Sequence, residues 1–329
     1  MAKSYRAAII GCGGISRRHV QAFHEQGNVK IVAACDISTD SMNAVCDENK
    51  IKGRYLSHED LFKRERGIDL VSICTYPKAH ADQVVAAAEA GAKAILCEKP
   101  MCLTLDEADA MIEACKKHDT KLVIAHRHRQ NPNFTKARDL ITEGAIGEPR
   151  LAWCYLTSCI IDNGTHIVDM IRYLLSDPDA DWVMGHASRK KGTYYQESPA
   201  EESGTGLIAF KSGTRAMIEM GAQTPEDGFT FRVLGSDGVI EASQQGIDLI
   251  DRSGARQLNE EPNTGFAEQT REMIAWLEDG PEHRSTDEVG RATTELLIAM
   301  HESARLRELV ELPLDIGYNP MQKRIEEGP

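Results

Sequence analysis

Gly11-Cys12-Gly13-Gly14-Ile15-Ser16 follows directly on an apolar run, Ala7-Ala8-Ile9-Ile10, and opens an amphipathic stretch that ends at Gly27. Strand, glycine turn and helix in that order form the context a dinucleotide fingerprint requires. Glycines let the backbone turn tightly and come close to a pyrophosphate, and the first helical turn offers unpaired N–H groups to its charge. Gly11, Gly13, Gly14 and Ile15 are therefore candidate cofactor contacts. The third fingerprint glycine is replaced by Ser16, which is still small enough for helix–strand contact. The next apolar run, Val29 to Cys35, ends against Asp36. A carboxylate there accepts hydrogen bonds from an adenosine ribose and repels a 2′-phosphate, which points to NAD rather than NADP. Arg17 and Arg18 stand at the start of the helix, either as phosphate contacts or as ordinary solvated arginines.

The alternation continues through residue 125. Further apolar runs lie at Leu70 to Cys74, Ala94 to Cys97 and Leu122 to Ala125, each short and continuous, as in parallel strands covered on both faces. Between them, Ser57-His58-Glu59-Asp60 carries a helix-cap signal and Thr104-Leu105-Asp106-Glu107 a capping box. Repeated strand–helix units with right-handed crossovers predict an α/β, doubly wound parallel sheet of Rossmann type over residues 1–125.

From residue 126 the pattern changes. Segments near 148–157 and 205–258 read as strands joined by tight turns such as Lys211-Ser212-Gly213, Gly235-Ser236-Asp237-Gly238 and Arg252-Ser253-Gly254. Turns with Ser-Gly or Asp-Gly between short apolar runs signal hairpins and an antiparallel sheet. Helices are expected near 167–175, 267–277 and 287–306. Residues 126–329 thus read as a second, α+β domain.

Bulk properties narrow the class. A chain of 329 residues fits two domains, and a formal charge of −13 opposes a nucleic-acid partner. The basic run Ser188-Arg189-Lys190-Lys191 reads as a solvated loop. No apolar run approaches the roughly 18 residues of a membrane span, and the start lacks a signal-peptide core. Nine cysteines, with no Cys-x-x-Cys pair, read as small buried hydrophobes in a reducing compartment. The cytoplasm is the expected location. His126-Arg127-His128 offers two imidazoles without a companion set, so no metal site is expected.

Three segments carry candidate chemistry. Thr75-Tyr76-Pro77-Lys78-Ala79-His80 follows a strand and precedes a helix, and forms a loop over the cofactor crevice. Thr75 is a candidate contact, and His80 is either a second one or a first-turn helix residue. Glu98-Lys99-Pro100 closes the run Ala94 to Cys97 and delivers Glu98 and Lys99 to the same crevice. Asp162-Asn163-Gly164-Thr165-His166 opens the later helix, with Ile167, Met170, Ile171, Leu174 and Leu175 as its expected buried stripe. His166, Asp169 and Tyr173 project from another face. A carboxylate and an imidazole one turn apart can hold a substrate hydroxyl and take its proton. Alternatively, Asp162 is a helix cap and His166 a surface residue.

Taken in order, the glycine turn, Asp36, Thr-x-Pro-x-x-His, Glu-Lys-Pro and Asp-x-x-x-His resemble the glucose–fructose oxidoreductase / inositol dehydrogenase (Gfo/Idh/MocA) family over nearly the whole chain. Asn131-Pro132, Gly144-Ala145-Ile146-Gly147, Leu234-Gly235-Ser236-Asp237-Gly238 and Val310-Glu311-Leu312-Pro313 extend the match. The resemblance implies Lys99, Asp162 and His166 as the catalytic group and a cis peptide before Pro100. It also implies that residues 126–329 form a substrate-binding and oligomerisation domain, whose open antiparallel sheet makes dimer or tetramer contacts. The implied activity is NAD-dependent hydride transfer from a secondary hydroxyl of a sugar, cyclitol or polyol derivative. Two other readings of this fold are an enzyme using bound NAD for transient oxidation in glycoside cleavage or epimerisation, and a non-catalytic NAD-binding regulator. This chain has Thr75-Tyr76-Pro77 where many relatives have Thr-Pro-Asn. It is also short between Gly147 and Asp162, with Ser158-Cys159-Ile160-Ile161 in place of a glycine-rich run.

Overall fold

The computed structural model describes residues 3–190, 192–221 and 229–328. Lys191 of the basic run, and residues 222–228 inside the expected hairpin region, lie outside them. The chain divides into two compact units, residues 1–127 with 265–291, and residues 128–264 with 292–329. The chain first passes from one unit to the other after Arg127. The return of 265–291 to the first unit is a feature that a single boundary does not describe.

The first unit holds six parallel strands: β1 (Tyr5–Ile10), β2 (Val29–Cys35), β3 (Gly53–Tyr55), β4 (Leu70–Ile73), β5 (Ala94–Cys97) and β6 (Lys121–Ile124). Their spatial order is β3-β2-β1-β4-β5-β6, the doubly wound arrangement expected from the sequence. β1, β4 and β5 are buried almost throughout, which is why their sequences are continuously apolar. β3 is the strand that the sequence pattern does not reveal. It is a three-residue edge strand, Gly-Arg-Tyr, without a fully buried residue, so it carries no apolar signal.

Helix starts follow the cap signals. Ser57 accepts from the Asp60 N–H at 3.2 Å, and Thr104 and Glu107 form the complete capping box. The helix Phe266–Leu277 sends Met273 and Ile274 into the cluster around Tyr5, Phe23 and Leu96, and Tyr5 Oη donates to Glu278 at 2.9 Å. That packing explains why 265–291 belongs to this unit.

The second unit holds β7 (Pro149–Leu156), β8 (Ala180–Ser188), β9 (Tyr194–Tyr195), β10 (Ser198–Pro199), β11 (Ser203–Phe210), β12 (Arg215–Met220), β13 (Phe231–Gly235), β14 (Gly238–Ala242), β15 (Ile247–Asp251), β16 (Gly254–Gln257) and β17 (Val310–Glu311). β9 and β10 form a small hairpin, and the other nine make one sheet in the order β16-β15-β14-β13-β7-β12-β11-β8-β17. The three expected hairpins are present, and the sheet is antiparallel except where β7 and β12 run parallel. β8 escapes a sequence reading because Gly185 interrupts its alternation. A Cβ at Gly185 would overlap the Met300 carbonyl, so glycine is dictated by backbone proximity.

One face of this sheet is covered by the helices Pro132–Thr142 and Thr165–Leu174 and by Leu296, Leu297 and Met300. The helix Thr165–Leu174 differs from expectation, because all ten of its residues are buried rather than one stripe. Its polar residues are neutralised from within. Arg129, 1% exposed, donates through Nε to Asp169 at 2.9 Å and through both terminal nitrogens to Asp177 at 2.7 Å. Arg172 donates to Thr293 at 3.2 Å.

Candidate active site

In the first unit the site begins at the glycine turn. Gly11 has φ +87°, and a Cβ there would sit 2.7 Å from the Cys74 carbonyl carbon and oxygen and 2.9 Å from Thr75 Cγ2. Only glycine lets the ends of β1 and β4 approach this closely. Gly13 and Gly14 have the opposite surroundings: a Cβ on either meets nothing within 4 Å. Ile15, just before the helix Ser16–Glu25, supplies no side-chain cap, and Ser16 folds back to donate to the Gly13 carbonyl at 2.6 Å. A bare turn facing open space at an uncapped helix start is a cradle for a pyrophosphate, so these residues fit a dinucleotide.

Asp36 is fixed beside that turn. Its Oδ2 accepts the Cys12 N–H at 2.6 Å and its Oδ1 accepts the Ser38 N–H at 2.7 Å. Each carboxylate oxygen keeps a further lone pair for a ribose hydroxyl. Arg17 is committed elsewhere, pairing with exposed Glu48 at 3.1 and 3.2 Å.

Around the Thr75 loop, Thr75 donates to Gln83 Oε1 at 2.6 Å. His80 opens the helix His80–Glu89 and is completely buried. Its Nδ1 lies 3.1 Å from the Pro100 carbonyl and 3.2 Å from that of Met101, while Nε2 lies 3.1 Å from the Thr75 carbonyl. Both ring nitrogens therefore face backbone oxygens, and His80 braces the Thr75 loop against the turn after Lys99. Burial holds its pKa below the ordinary histidine value. The Lys99–Pro100 peptide is cis.

Glu98 is buried at the end of β5. Its Oε1 lies 2.8 Å from His19 Nε2, and its Oε2 accepts the Lys99 N–H at 3.1 Å. His19 is not singled out by the sequence. Its only signal is its place beside Val20 and Phe23 on the buried side of the first helix.

In the second unit, Asp162 sits inside a five-residue turn, Ile160–Gly164, that leads into the helix bearing His166. Ser158 Oγ donates to Asp162 Oδ2 at 3.1 Å, and Asn163 Nδ2 approaches the same oxygen at 3.3 Å. Gly164, which has no side chain, stands at the start of that helix. His166 is not a surface residue, since it is only 8% exposed. Its ring stands edge-on to His128, with centroids 4.7 Å apart, and Phe229 completes the cluster, 4.7 Å from His128 and 6.5 Å from His166. The turn is tied down from behind by Glu201, whose carboxylate accepts the Ile160 N–H and lies 3.0 Å from His301 Nε2. Burial would raise Glu201, but His301 and the Ile160 N–H outweigh it and keep its pKa below the usual carboxylate range.

Comparison with known proteins bears on both units. Residues 5–126 match the model of an oxidoreductase family with an NAD-binding Rossmann fold, and residues 156–241 match the GFO/IDH/MocA C-terminal domain. A D-apiose dehydrogenase of Paraburkholderia graminis is 27% identical, over 94% of this chain and 90% of its own. A D-xylose 1-dehydrogenase [NADP(+)] of Haloarcula marismortui is 41% identical over a shorter stretch, 34% of this chain and 28% of its own. Among solved structures, an oxidoreductase from Agrobacterium radiobacter in complex with NAD+, L-tartaric acid and magnesium superposes with a TM-score of 0.84. It is 21% identical and covers 94% of this chain and 98% of its own. With the glycine turn, the Glu-Lys-Pro strand end and the nine-stranded sheet in place, the chain belongs to the Gfo/Idh/MocA family and is an NAD-binding oxidoreductase, a dehydrogenase of CH–OH groups.

Proposed function

We propose that this dehydrogenase oxidises a secondary hydroxyl of a sugar, cyclitol or related polyol, with NAD as the hydride acceptor. The observation that carries this reading is the environment of His166, an imidazole buried against His128 and one turn from the hydrogen-bonded carboxylate of Asp162. Gly11, Gly13, Gly14, Ile15, Asp36, Thr75, Glu98 and Lys99 hold the cofactor, and His80 acts through the Thr75 loop. Bound there, NAD supplies the acceptor for the hydride that leaves the carbinol carbon. His166 takes the hydroxyl proton, and Asp162 orients the hydroxyl and the imidazole. Lys99 donates a hydrogen bond to the same oxygen and stabilises the negative charge that grows on it.

NAD is preferred over NADP because Asp36 puts a carboxylate where a 2′-phosphate would lie. The location is the cytoplasm, whose reducing conditions suit nine free thiols, eight of them buried. No helix among the described residues is long and apolar enough to cross a membrane.

The assembly is a homodimer or homotetramer built on the uncovered face of the nine-stranded sheet. Met184, Leu207, Met217 and Trp153 stand side by side in register on β8, β11, β12 and β7, an apolar row across four strands. Met184 is 48% and Met217 41% exposed, so the row needs a partner face.

The activity is tested by following formation of reduced nicotinamide with NAD and a panel of sugars, inositols and uronic acids. Turnover on one class supports the reading. Conversion of a glycoside or epimer without net reduced cofactor would instead favour transient oxidation, and no reaction across the panel would favour a regulator.

A further inference from the structure

His19 lies one turn beyond the glycine turn and is 1% exposed, yet it reaches across two strand ends. Its Nδ1 is 2.8 Å from Ser72 Oγ on β4, and its Nε2 is 2.8 Å from Glu98 Oε1 at the end of β5. The ring edge packs on Phe266, with centroids 5.9 Å apart. Glu98 in turn spends its second oxygen on the Lys99 N–H, at 3.1 Å. Helix, strand end and lysine turn are thus joined by one chain of contacts.

Burial alone would lower the imidazole, but Cys74 and Glu98 reverse this and raise His19 to about 10. Burial would raise Glu98, and His19, Lys99 and the Lys99 N–H lower it instead. The 2.8 Å contact and these shifts both favour the charged form of each partner, imidazolium beside carboxylate. The other groups that face Glu98 are Arg127 and His80, and His19 faces Cys74 and Ser72. Burying two charges costs several kcal/mol per ion, and an apolar pair of the same volume would hold the fold as well. A carboxylate that must accept at both oxygens needs to stay ionised, because a protonated one gives up an acceptor.

We propose that His19 is a positioning residue for Lys99: its pairing with Glu98 keeps that carboxylate an anion, whose second oxygen fixes the backbone that presents the lysine. This rests on the reading of Lys99 as a catalytic group, but the tie itself is testable without turnover.

The experiment compares wild type with His19→Gln, which keeps size and a hydrogen bond but cannot carry charge. Amide exchange of Lys99, read by NMR on the protein without cofactor, should speed up about tenfold or more while β4 and β5 amides stay protected. Turnover should fall about tenfold or more with NAD affinity within about threefold, the pattern of misplacement rather than lost binding. The rising limb of the kcat–pH profile should move to higher pH, because an unpaired buried Glu98 takes up a proton and must lose it again. Adding Glu98→Gln should cost little more. Wild-type exchange at Lys99 together with wild-type kcat in folded His19→Gln overturns the proposal. If that variant does not fold, the wild-type ring decides: protons on both His19 nitrogens at neutral pH support the proposal, and a neutral ring overturns it. A Lys99→Ala variant that keeps turnover would remove the catalytic reading of the lysine, while the exchange measurement would still report on the tie.

Discussion

The Cys12 N–H donates a 2.6 Å hydrogen bond to Asp36 Oδ2, so the carboxylate at the end of β2 also holds the glycine turn in shape. Variants of Asp36 separate this hold on the turn from the ribose contact proposed for the same carboxylate.

We expect wild-type protein to bind NAD at least about tenfold tighter than NADP, because a fixed carboxylate meets the 2′-phosphate charge. Asp36→Asn keeps the size and should shrink that ratio through NADP. Asp36→Ala also releases the Cys12 and Ser38 N–H groups, so NAD affinity should fall with it. Calorimetric titration of both cofactors checks this. Equal wild-type affinities would remove the basis for preferring NAD.

Arg129 is enclosed by Asp169 and Asp177, with Nε on one carboxylate and both terminal nitrogens on the other. Arg129→Met strands those carboxylates, Asp169 fully buried, and should cost about 3–5 kcal/mol in urea unfolding. Arg129→Lys should also destabilise, because one ammonium cannot replace a planar fork serving two partners. A triple variant, Arg129→Met with Asp169→Asn and Asp177→Asn, should recover part of the loss. If Arg129→Met unfolds like wild type, the buried network carries no stability.

His283 gives the fold an acid-sensitive point. Its Nδ1 accepts the Ser285 N–H at 3.0 Å and its Nε2 lies 3.2 Å from the Gln269 carbonyl, an arrangement only the neutral ring satisfies. Burial lowers its pKa from 6.5 to about 4. Between those values the unfolded chain binds a proton that the folded chain refuses, so stability falls as pH drops from 6.5 towards 4. The loss is at most about 3 kcal/mol. His283→Gln can keep both hydrogen bonds and should flatten the wild-type slope in that window. Parallel slopes for the two proteins would sink this assignment.

The Rossmann unit was legible because parallel strands covered on both faces must be continuously apolar, as at Ala94–Cys97, and because Gly11, Ser57 and Thr104 carry local rules. What stayed hidden lacked a local cause. β3 buries no residue fully, Gly185 in β8 answers to Met300, and in Thr165–Leu174 the buried Asp169 and Arg172 are met by Arg129 and Thr293 from other segments. The same holds for the site. Asp36, Glu98 and Lys99 stand at strand ends that topology singles out, whereas His19, Glu201 and His301 act through partners 41 to 100 residues away. Spacing cannot show such pairings.

The apolar row Met184–Leu207–Met217–Trp153 should disappear into an interface between copies of the chain. Leu207→Glu with Met217→Lys puts charges into its centre without touching the covered face, because both side chains lie on strands whose buried positions are the alternate ones. Light scattering should give a dimer or tetramer for wild type and a smaller species for the variant. A wild-type monomer at micromolar concentration would defeat the proposed assembly.

The catalytic proposal makes the strongest demand. Lys99→Ala and His166→Ala should each lower turnover by about 10²-fold or more, the usual scale for acid–base groups. NAD affinity should stay within a few fold for His166→Ala, whose residue belongs to the unit without the glycine turn. Groups that serve one hydroxyl lose their effects non-additively, so the double variant should be little worse than the worse single. Asp162→Asn should cost less than His166→Ala, because an amide still orients a hydroxyl although it attracts no proton. His166 is 8% exposed and pressed against His128, so its removal also opens a space, and thermal unfolding must accompany the kinetics. His166→Gln, nearer in volume, guards against that confusion: it should keep the melting temperature and still lose turnover. Single-turnover measurements with the best substrate isolate hydride transfer from product release. If His166→Gln transfers hydride at the wild-type rate, the imidazole is not the base, and the buried ring at the start of its helix serves only packing.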